Sequence, residues 1–169
     1  MRLPSGYFHN MDCAIQYANN KKKKPSKKSI AAKRKAEKES IKTKAQWLSQ
    51  LQSLVNQYIR LKDAKDGCIS CDKPSTWGGQ YHAGHFFSRG HSSALRFNLW
   101  NIHKQCSVCN NHLSGNIGKY TPRLIDKIGQ ERFDYLETHS GDVSRYEVEW
   151  IKRAIKITRK ALKRKIYHD

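Results

Sequence analysis

A mainly α-helical α+β protein, built around a small zinc-stapled β-β-α unit, is the fold class this sequence predicts. Three observations carry it. Cys68-Ile69-Ser70-Cys71 and Cys106-Ser107-Val108-Cys109 form two C-x2-C corners with 34 residues between them, a spacing suited to one tetrahedral zinc ion. Apolar residues recur every three or four positions over 45–62 and 144–167, the period of amphipathic helices. Between the corners, two short runs of aromatic and apolar residues read as strands.

The 169 residues suffice for one domain plus extensions. Lys and Arg number 33 against 14 Asp and Glu, a formal net charge of +19. Such a surplus points to a polyanionic partner, nucleic acid first and an anionic membrane surface second, because each phosphate neutralised releases a counterion. No apolar run approaches the ~20 residues of a spanning helix, and the start of the chain lacks the charged head and apolar core of a secretory signal. The reading is a cytoplasmic protein that does not enter membranes. In a reducing compartment, paired C-x2-C motifs favour metal over disulfide. Only 37% of residues are hydrophobic, so the core is small and a metal staple compensates.

Residues 1–44 form a basic N-terminal extension, partly disordered or helical. Met11 to Ala18 suits a short helix, and Cys13 has no C-x2-C partner, as expected of a free thiol. Twelve Lys and Arg over 21–44 face only Glu37 and Glu39, a local charge of +10 that repels itself and seldom packs. Lys21, Lys22, Lys23, Lys24, Lys27 and Lys28 are its candidate DNA-binding residues; a merely solvated tail is the competing reading. Residues 45–140 are the stapled core with flanking helices. Over 45–62, Trp47, Leu48, Leu51, Leu54, Val55, Tyr58 and Leu61 give a helix its buried stripe. Asp66-Gly67 turns the chain into Cys68.

Gln80 to Phe87 reads as the first strand, 88–96 as a loop and Asn101-Ile102-His103 as the second strand. A helix is expected from near Cys106 to about Leu113, broken by Gly115-Asn116 and Gly118. Two short helices then fill 122–139, separated at Gly129. Residues 141–169 hold a basic C-terminal helix from Ser144 to Tyr167, with Ser144 and Glu147 in a capping-box pattern. Its charged face, Lys152, Lys156, Arg159, Lys163 and Arg164, fits solvation and phosphate contact equally well.

Four thiolates make a closed structural zinc site with no open position for water. The zinc itself should not be catalytic, so any chemistry would lie beside it. Hydrolysis of a phosphodiester needs an activated water and a cation to neutralise developing charge. His85 is the candidate general base, since imidazole titrates near neutrality. His82 is a candidate ligand, but three residues from His85 it would face the other side of a regular strand; a bend, or a structural role, is then required. Asn110 follows the last cysteine and offers an amide oxygen to a hard divalent cation, Mg²⁺ or Mn²⁺. Asn101 is suited to orienting either the imidazole or the loop. Arg89 and Arg96 are placed to hold a phosphate, or to make surface ion pairs. Five of the eight histidines fall within 82–112 and cannot all be catalytic. On spacing alone, a one-metal nuclease and a purely structural zinc finger both stay open.

The runs AGHFFSRG and LRFNLWNIHKQCSVCNNHLSGN resemble those of the HNH, or His-Me finger, endonucleases. Over about residues 45–160 the chain is similar to the NinG, or Rap, family of lambdoid phages. The resemblance implies a metal-dependent endodeoxyribonuclease acting on branched recombination intermediates such as Holliday junctions, in the host cytoplasm. By motif position it implies His85 as base, Asn101 as the central Asn and Asn110 as metal ligand. A non-catalytic zinc-stapled DNA-binding protein and a sequence-specific HNH nuclease are the alternatives. Symmetric cutting of a four-way junction would require two active sites, hence a homodimer. Two departures stand out. His82 occupies the place of the family's usual Asp, which should weaken Mg²⁺ and favour softer ions such as Mn²⁺. Only Asp12-Cys13-Ala14-Ile15 matches the family's cysteine-rich N-terminal element, which leaves Cys13 without fellow ligands.

Overall fold

Short-range patterning sets most of the helices in the computed structural model of the chain, which describes residues 2–3, 6–7, 9–20 and 26–168. The chain divides into two compact units, Met1–Lys42 and Thr43–Asp169. In the first, β1 (Arg2–Leu3) pairs antiparallel with β2 (Gly6–Tyr7). Helix α1 (Met11–Asn20) follows, started by Asn10, whose side-chain oxygen accepts from the Cys13 N–H at 2.9 Å. Helix α2 (Lys27–Ser40) is capped by Ser26 and buries none of its residues, as its charge requires. Lys27 and Lys28 sit exposed on its first turn. Lys21 to Lys24 lie outside the described residues.

The second unit opens with a capping box at Thr43 and Gln46: the Thr43 hydroxyl accepts from the Gln46 N–H, and the Gln46 side chain accepts from the Thr43 N–H at 2.9 Å. It launches α3 (Lys44–Lys62), which buries Trp47, Leu51, Val55 and Ile59 against Ile151 and Ile155 of α6 (Val148–His168). Each fully buried side chain of this kind contributes about 2 kcal/mol. Surface ion pairs such as Lys152–Glu149 add little beside that. α6 starts four residues later than its sequence pattern suggests. Ser144 does not cap it: the Ser144 N–H donates to Ser93 Oγ at 2.7 Å, which ties that segment to the 88–96 loop.

A two-stranded antiparallel sheet packs on the same core. β3 (Tyr81–His85) pairs with β4 (Ile102–Cys106) in an unbroken register from Tyr81↔Cys106 to His85↔Ile102. The second strand is longer than Asn101–His103 because Lys104 and Gln105 are held too: the Lys104 N–H donates to buried Asp63 at 3.0 Å, and Gln105 donates to Ser70 Oγ and to the Gly115 carbonyl. Gln105 lies against Gly84, where a Cβ would come within 2.0 Å of its side-chain oxygen. Only glycine fits there.

The helix expected over 106–113 is instead a single π-helical turn, Val108–His112. Cys109 must aim its sulfur at the other cysteines, and its N–H donates to Cys106 Sγ at 3.4 Å instead of extending an α-ladder. Ser114, Gly115 and Asn116, all at positive φ, then reverse the chain. Gly118 is no breaker: it lies in the first turn of α4 (Ile117–Ile128), where the N–H needs no intrahelical partner. Gly129, at φ 85°, separates α4 from α5 (Gln130–Thr138) as its place in the sequence suggested. Tyr120, Leu124, Phe133 and Leu136 form a second apolar cluster over Leu95, Phe86 and Phe87. Among the described residues, no helix is long and apolar enough to cross a membrane.

Candidate functional site

Two sites share the β3–β4 hairpin. The first is the cysteine cradle. The sulfurs of Cys68, Cys71, Cys106 and Cys109 all lie within 4.8 Å of one another, with Cys71 and Cys106 at 3.8 Å. A tetrahedron with metal–sulfur bonds of about 2.3 Å has edges of ~3.8 Å. The four could therefore hold a metal ion such as zinc. Backbone N–H groups of Cys106 (3.2 Å) and Ser70 (3.4 Å) point at Cys68 Sγ, which offsets thiolate charge. Burial and the neighbouring sulfurs push the Cys109 thiol up to about 12, a penalty that a bound dication would remove. Cys13 is exposed and is not part of this group.

The second site is a cavity of about 540 Å³ whose lining includes His82, His85, Arg89 and Asn110, together with Asn56 and Arg60 of α3. No bulge brings the two histidines together. They leave β3 on opposite faces, yet both line one cavity, because a two-stranded sheet leaves β3 with an open edge. The Asn110 amide N–H donates to His82 Nδ1 at 3.2 Å and to the Asn111 side-chain oxygen at 2.8 Å. Asn110 follows Cys109 directly, so the cradle sets its direction.

His85 is the most sharply defined member. Its Nε2 lies 3.0 Å from the Arg96 carbonyl, which can only accept. Nε2 therefore carries the proton, and Nδ1 keeps a free lone pair. Burial pulls the imidazole down to about 4; the charges of Arg89 and Arg96 act in the same direction, and the Arg96 carbonyl opposes them. The ring is neutral at physiological pH. The side-chain hydrogen bonds of Asn101 go elsewhere. Fully buried, Asn101 accepts from the Phe87 N–H (2.8 Å) and donates to the carbonyls of Phe87 (3.0 Å) and Leu95 (3.1 Å). Of its two expected uses, the structure displays the loop clamp.

The other three histidines of the 82–112 segment separate from the site. His91 and His112 are exposed; His103 is buried, with Nε2–H donating to the Trp100 carbonyl and Nδ1 3.6 Å from Asp63. Burial raises the Asp63 carboxyl, but His103, the Lys104 N–H, Lys62 and Lys127 outweigh it and hold the carboxyl well below its usual range. This residue, which binds α3 to β4, carries no motif in the sequence. Gln52, Asn56 and Arg60 also went unmarked, because at helical spacing they look like the solvated side of α3. Arg96, half-buried, donates from Nε to Gln52 at 3.0 Å, so it is anchored rather than paired at the surface.

A divalent cation in the cavity would find an imidazole nitrogen at His82 and, after a half-turn of its amide, the oxygen of Asn110. Among the described residues, no carboxylate lines the cavity. That donor set suits Mn²⁺ or a softer ion better than Mg²⁺.

The sequence profile of the family described as Bacteriophage Lambda NinG protein matches residues 7–166. Among individual proteins, the chain is 43% identical over 100 residues to protein ninG of Escherichia phage lambda, which covers 59% of this chain and 48% of that one. Protein ninG of Escherichia phage 933W is 42% identical over 100 residues, 59% and 49% of the two chains. Protein ninG of Salmonella phage P22 is 40% identical over 99 residues, 59% and 48%. The alignments span about half the length of these curated relatives. No solved structure matches the chain. With its profile match running almost end to end, the chain belongs to the NinG family of lambdoid phages.

Proposed function

We propose that the chain is a metal-dependent endonuclease of the HNH type that hydrolyses phosphodiesters in branched DNA, with His85 as general base. The observation that carries this reading is His85 itself: a neutral imidazole, fixed by the Arg96 carbonyl, with Nδ1 free in a cavity that also holds His82, Asn110 and Arg89. In the step, Nδ1 accepts a proton from water as the oxygen attacks phosphorus. One P–O bond forms opposite the one that breaks, and the released alkoxide takes a proton from solvent. His82 and Asn110 would hold a divalent cation, which would supply charge neutralisation at the phosphate and the leaving oxygen. Arg89 and Arg96 attract the phosphate. Its negative charge offsets theirs and so raises the basicity of His85 when the base is needed. Asn101 holds the loop between Phe87 and Leu95, and with it the frame around His85.

A zinc-stapled DNA-binding protein without catalysis is the second reading. The observation in its favour is that, among the described residues, no carboxylate lines the cavity, and His82 and Asn110 are the two candidate ligands there. One experiment separates them: a labelled four-way junction and a matched linear duplex are incubated with Mg²⁺, Mn²⁺ or EDTA. The nuclease reading expects cleavage of the junction, strongest with Mn²⁺ and absent in EDTA. Binding without cleavage under every metal would leave the second reading standing.

A further inference from the structure

The groove around His85 does not end at that cavity. A second cavity of about 510 Å³ runs along α3 and shares Gln52, Asn56, Arg60 and Arg89 with the first. Arg96 lines the second cavity and not the first. We propose that this polar face of α3 is a second binding site, a cradle for the sugar-phosphate backbone of the DNA strand on one side of the phosphate at His85. It rests on the nuclease reading only for which phosphate counts as the first.

Three features distinguish the face from an ordinary solvated helix side. Gln52 is only 6% exposed, and burying an amide is costly unless it is bonded. Its bonds form a chain: Nε2–H donates to Asn56 at 2.9 Å, and its oxygen accepts from Arg96 Nε at 3.0 Å. The Arg96 guanidinium is thereby held in place through Nε, with its centre 5.2 Å from the Phe97 ring. Secondly, three guanidiniums, Arg60, Arg89 and Arg96, converge on the two cavities, and among the described residues none forms an ion pair. No carboxylate lines either cavity among the described residues. Like charges gathered without a counter-charge call for a polyanion, and burial together with Arg89 already disfavours the charge on Arg96.

Thirdly, the spacing suits a strand. Gln52, Asn56 and Arg60 recur at every fourth residue, and eight residues of helix rise about 12 Å. That is the rise of three to four nucleotides at ~3.4 Å each. The groups offered are guanidinium, amide and hydroxyl, all of which can take phosphate oxygens. Set in a row along one helix they should track the backbone, and the site should bind DNA without sequence preference.

The test is fluorescence anisotropy of a four-way junction in EDTA, which stops cleavage, across a range of salt. Arg60→Gln should weaken binding several-fold and reduce the slope of log K against log salt by about one. Arg60→Lys should keep the slope. Gln52→Leu, which releases Arg96, should weaken binding while the slope changes by less than one. Junctions carrying single neutral methylphosphonates should map the contact: the phosphate to which wild type is sensitive should lose that sensitivity in Arg60→Gln alone. An unchanged slope in Arg60→Gln overturns the proposal. So does an equal loss in Lys119→Gln, an exposed charge on α4 outside both cavities, because the effect would then be net charge alone. Wild-type cleavage is scored separately. If wild type does not cut and Arg60→Gln still flattens the slope, the nuclease reading fails and the cradle stands.

Discussion

At one end of the β3–β4 hairpin, where Tyr81 faces Cys106, four sulfurs converge within 4.8 Å. At the other, where His85 faces Ile102, a neutral imidazole looks into a groove with arginines and, among the described residues, no carboxylate. The cysteine end supplies a full set of metal donors and is largely buried. Whatever it binds, it gains as folding energy. The histidine end supplies two candidate ligands and an excess of positive charge, so it is complete only with an anionic ligand present. One hairpin thus carries a closed site that could hold a metal and an open one whose positive charge is unbalanced. Asn110, next to Cys109, joins them.

The largest way to break that contrast is at the closed end. Cys106→Ser or Cys109→Ser should abolish metal retention and cost on the order of 10 kcal/mol of folding energy, enough to unfold a small domain. Elemental analysis of the wild type should find one zinc per chain, and circular dichroism of the variants should show the loss of structure. A folded, zinc-free wild type in which all five thiols titrate would reverse the assignment.

At the open end, His85→Ala should leave the fold and junction affinity nearly unchanged and cut the cleavage rate by ~10²- to 10⁴-fold. Gel assays of cleavage alongside anisotropy in EDTA check both halves. Wild-type cleavage rates in His85→Ala would leave the open end as a binding groove only.

Next in size is a pH effect on stability. His85 is held near 4 in the folded protein against an ordinary 6.5. The unfolded chain therefore binds more protons between those values, and stability falls as pH drops from about 6.5 to 4. At about 1.4 kcal/mol per pH unit, the loss approaches ~3 kcal/mol. Urea denaturation at pH 4.5 and 7 should show a steeper loss in wild type than in His85→Gln, which keeps the cysteine cradle and lacks the titrating ring. Equal losses in the two proteins would mean that acid acts through groups other than His85.

The smallest change expected is His82→Asp. It should leave stability near wild type and shift the metal preference of cleavage from Mn²⁺ toward Mg²⁺, because a carboxylate is the harder ligand. Parallel titrations with the two ions read this out. An unchanged preference would mean that His82 does not hold the cation.

The cysteine spacing, the helix stripes and the His-rich segment were legible without any structure, because each depends on residues near in sequence or on a ligand geometry that recurs. The stripe on α3 puts Trp47, Leu51, Val55 and Ile59 in the core, as its period requires. The C-terminal helix kept its apolar face but lost its expected cap, since Ser144 is claimed by Ser93, 51 residues away. The helix after the second cysteine pair became a π turn for a similar reason: sulfur geometry overrode local propensity.

What the residues alone determined is the inventory: two cysteine pairs, one histidine suited to a base, an amide placed after the last cysteine and a large positive charge. The tertiary structure decided how they are used. It put His82 and His85 on one cavity from opposite faces of a strand, because the sheet stops at two strands and leaves an edge. It set the tautomer of His85 through the carbonyl of Arg96, eleven residues on. It assigned Asn101 to the loop instead of the ring, and turned Gln52, Asn56 and Arg60 from a solvated stripe into the wall of a groove. Hydrophobic period and ligand spacing are local properties of a chain. Proton position, burial and unpaired charge depend on what the fold brings beside each group, and only coordinates contain that.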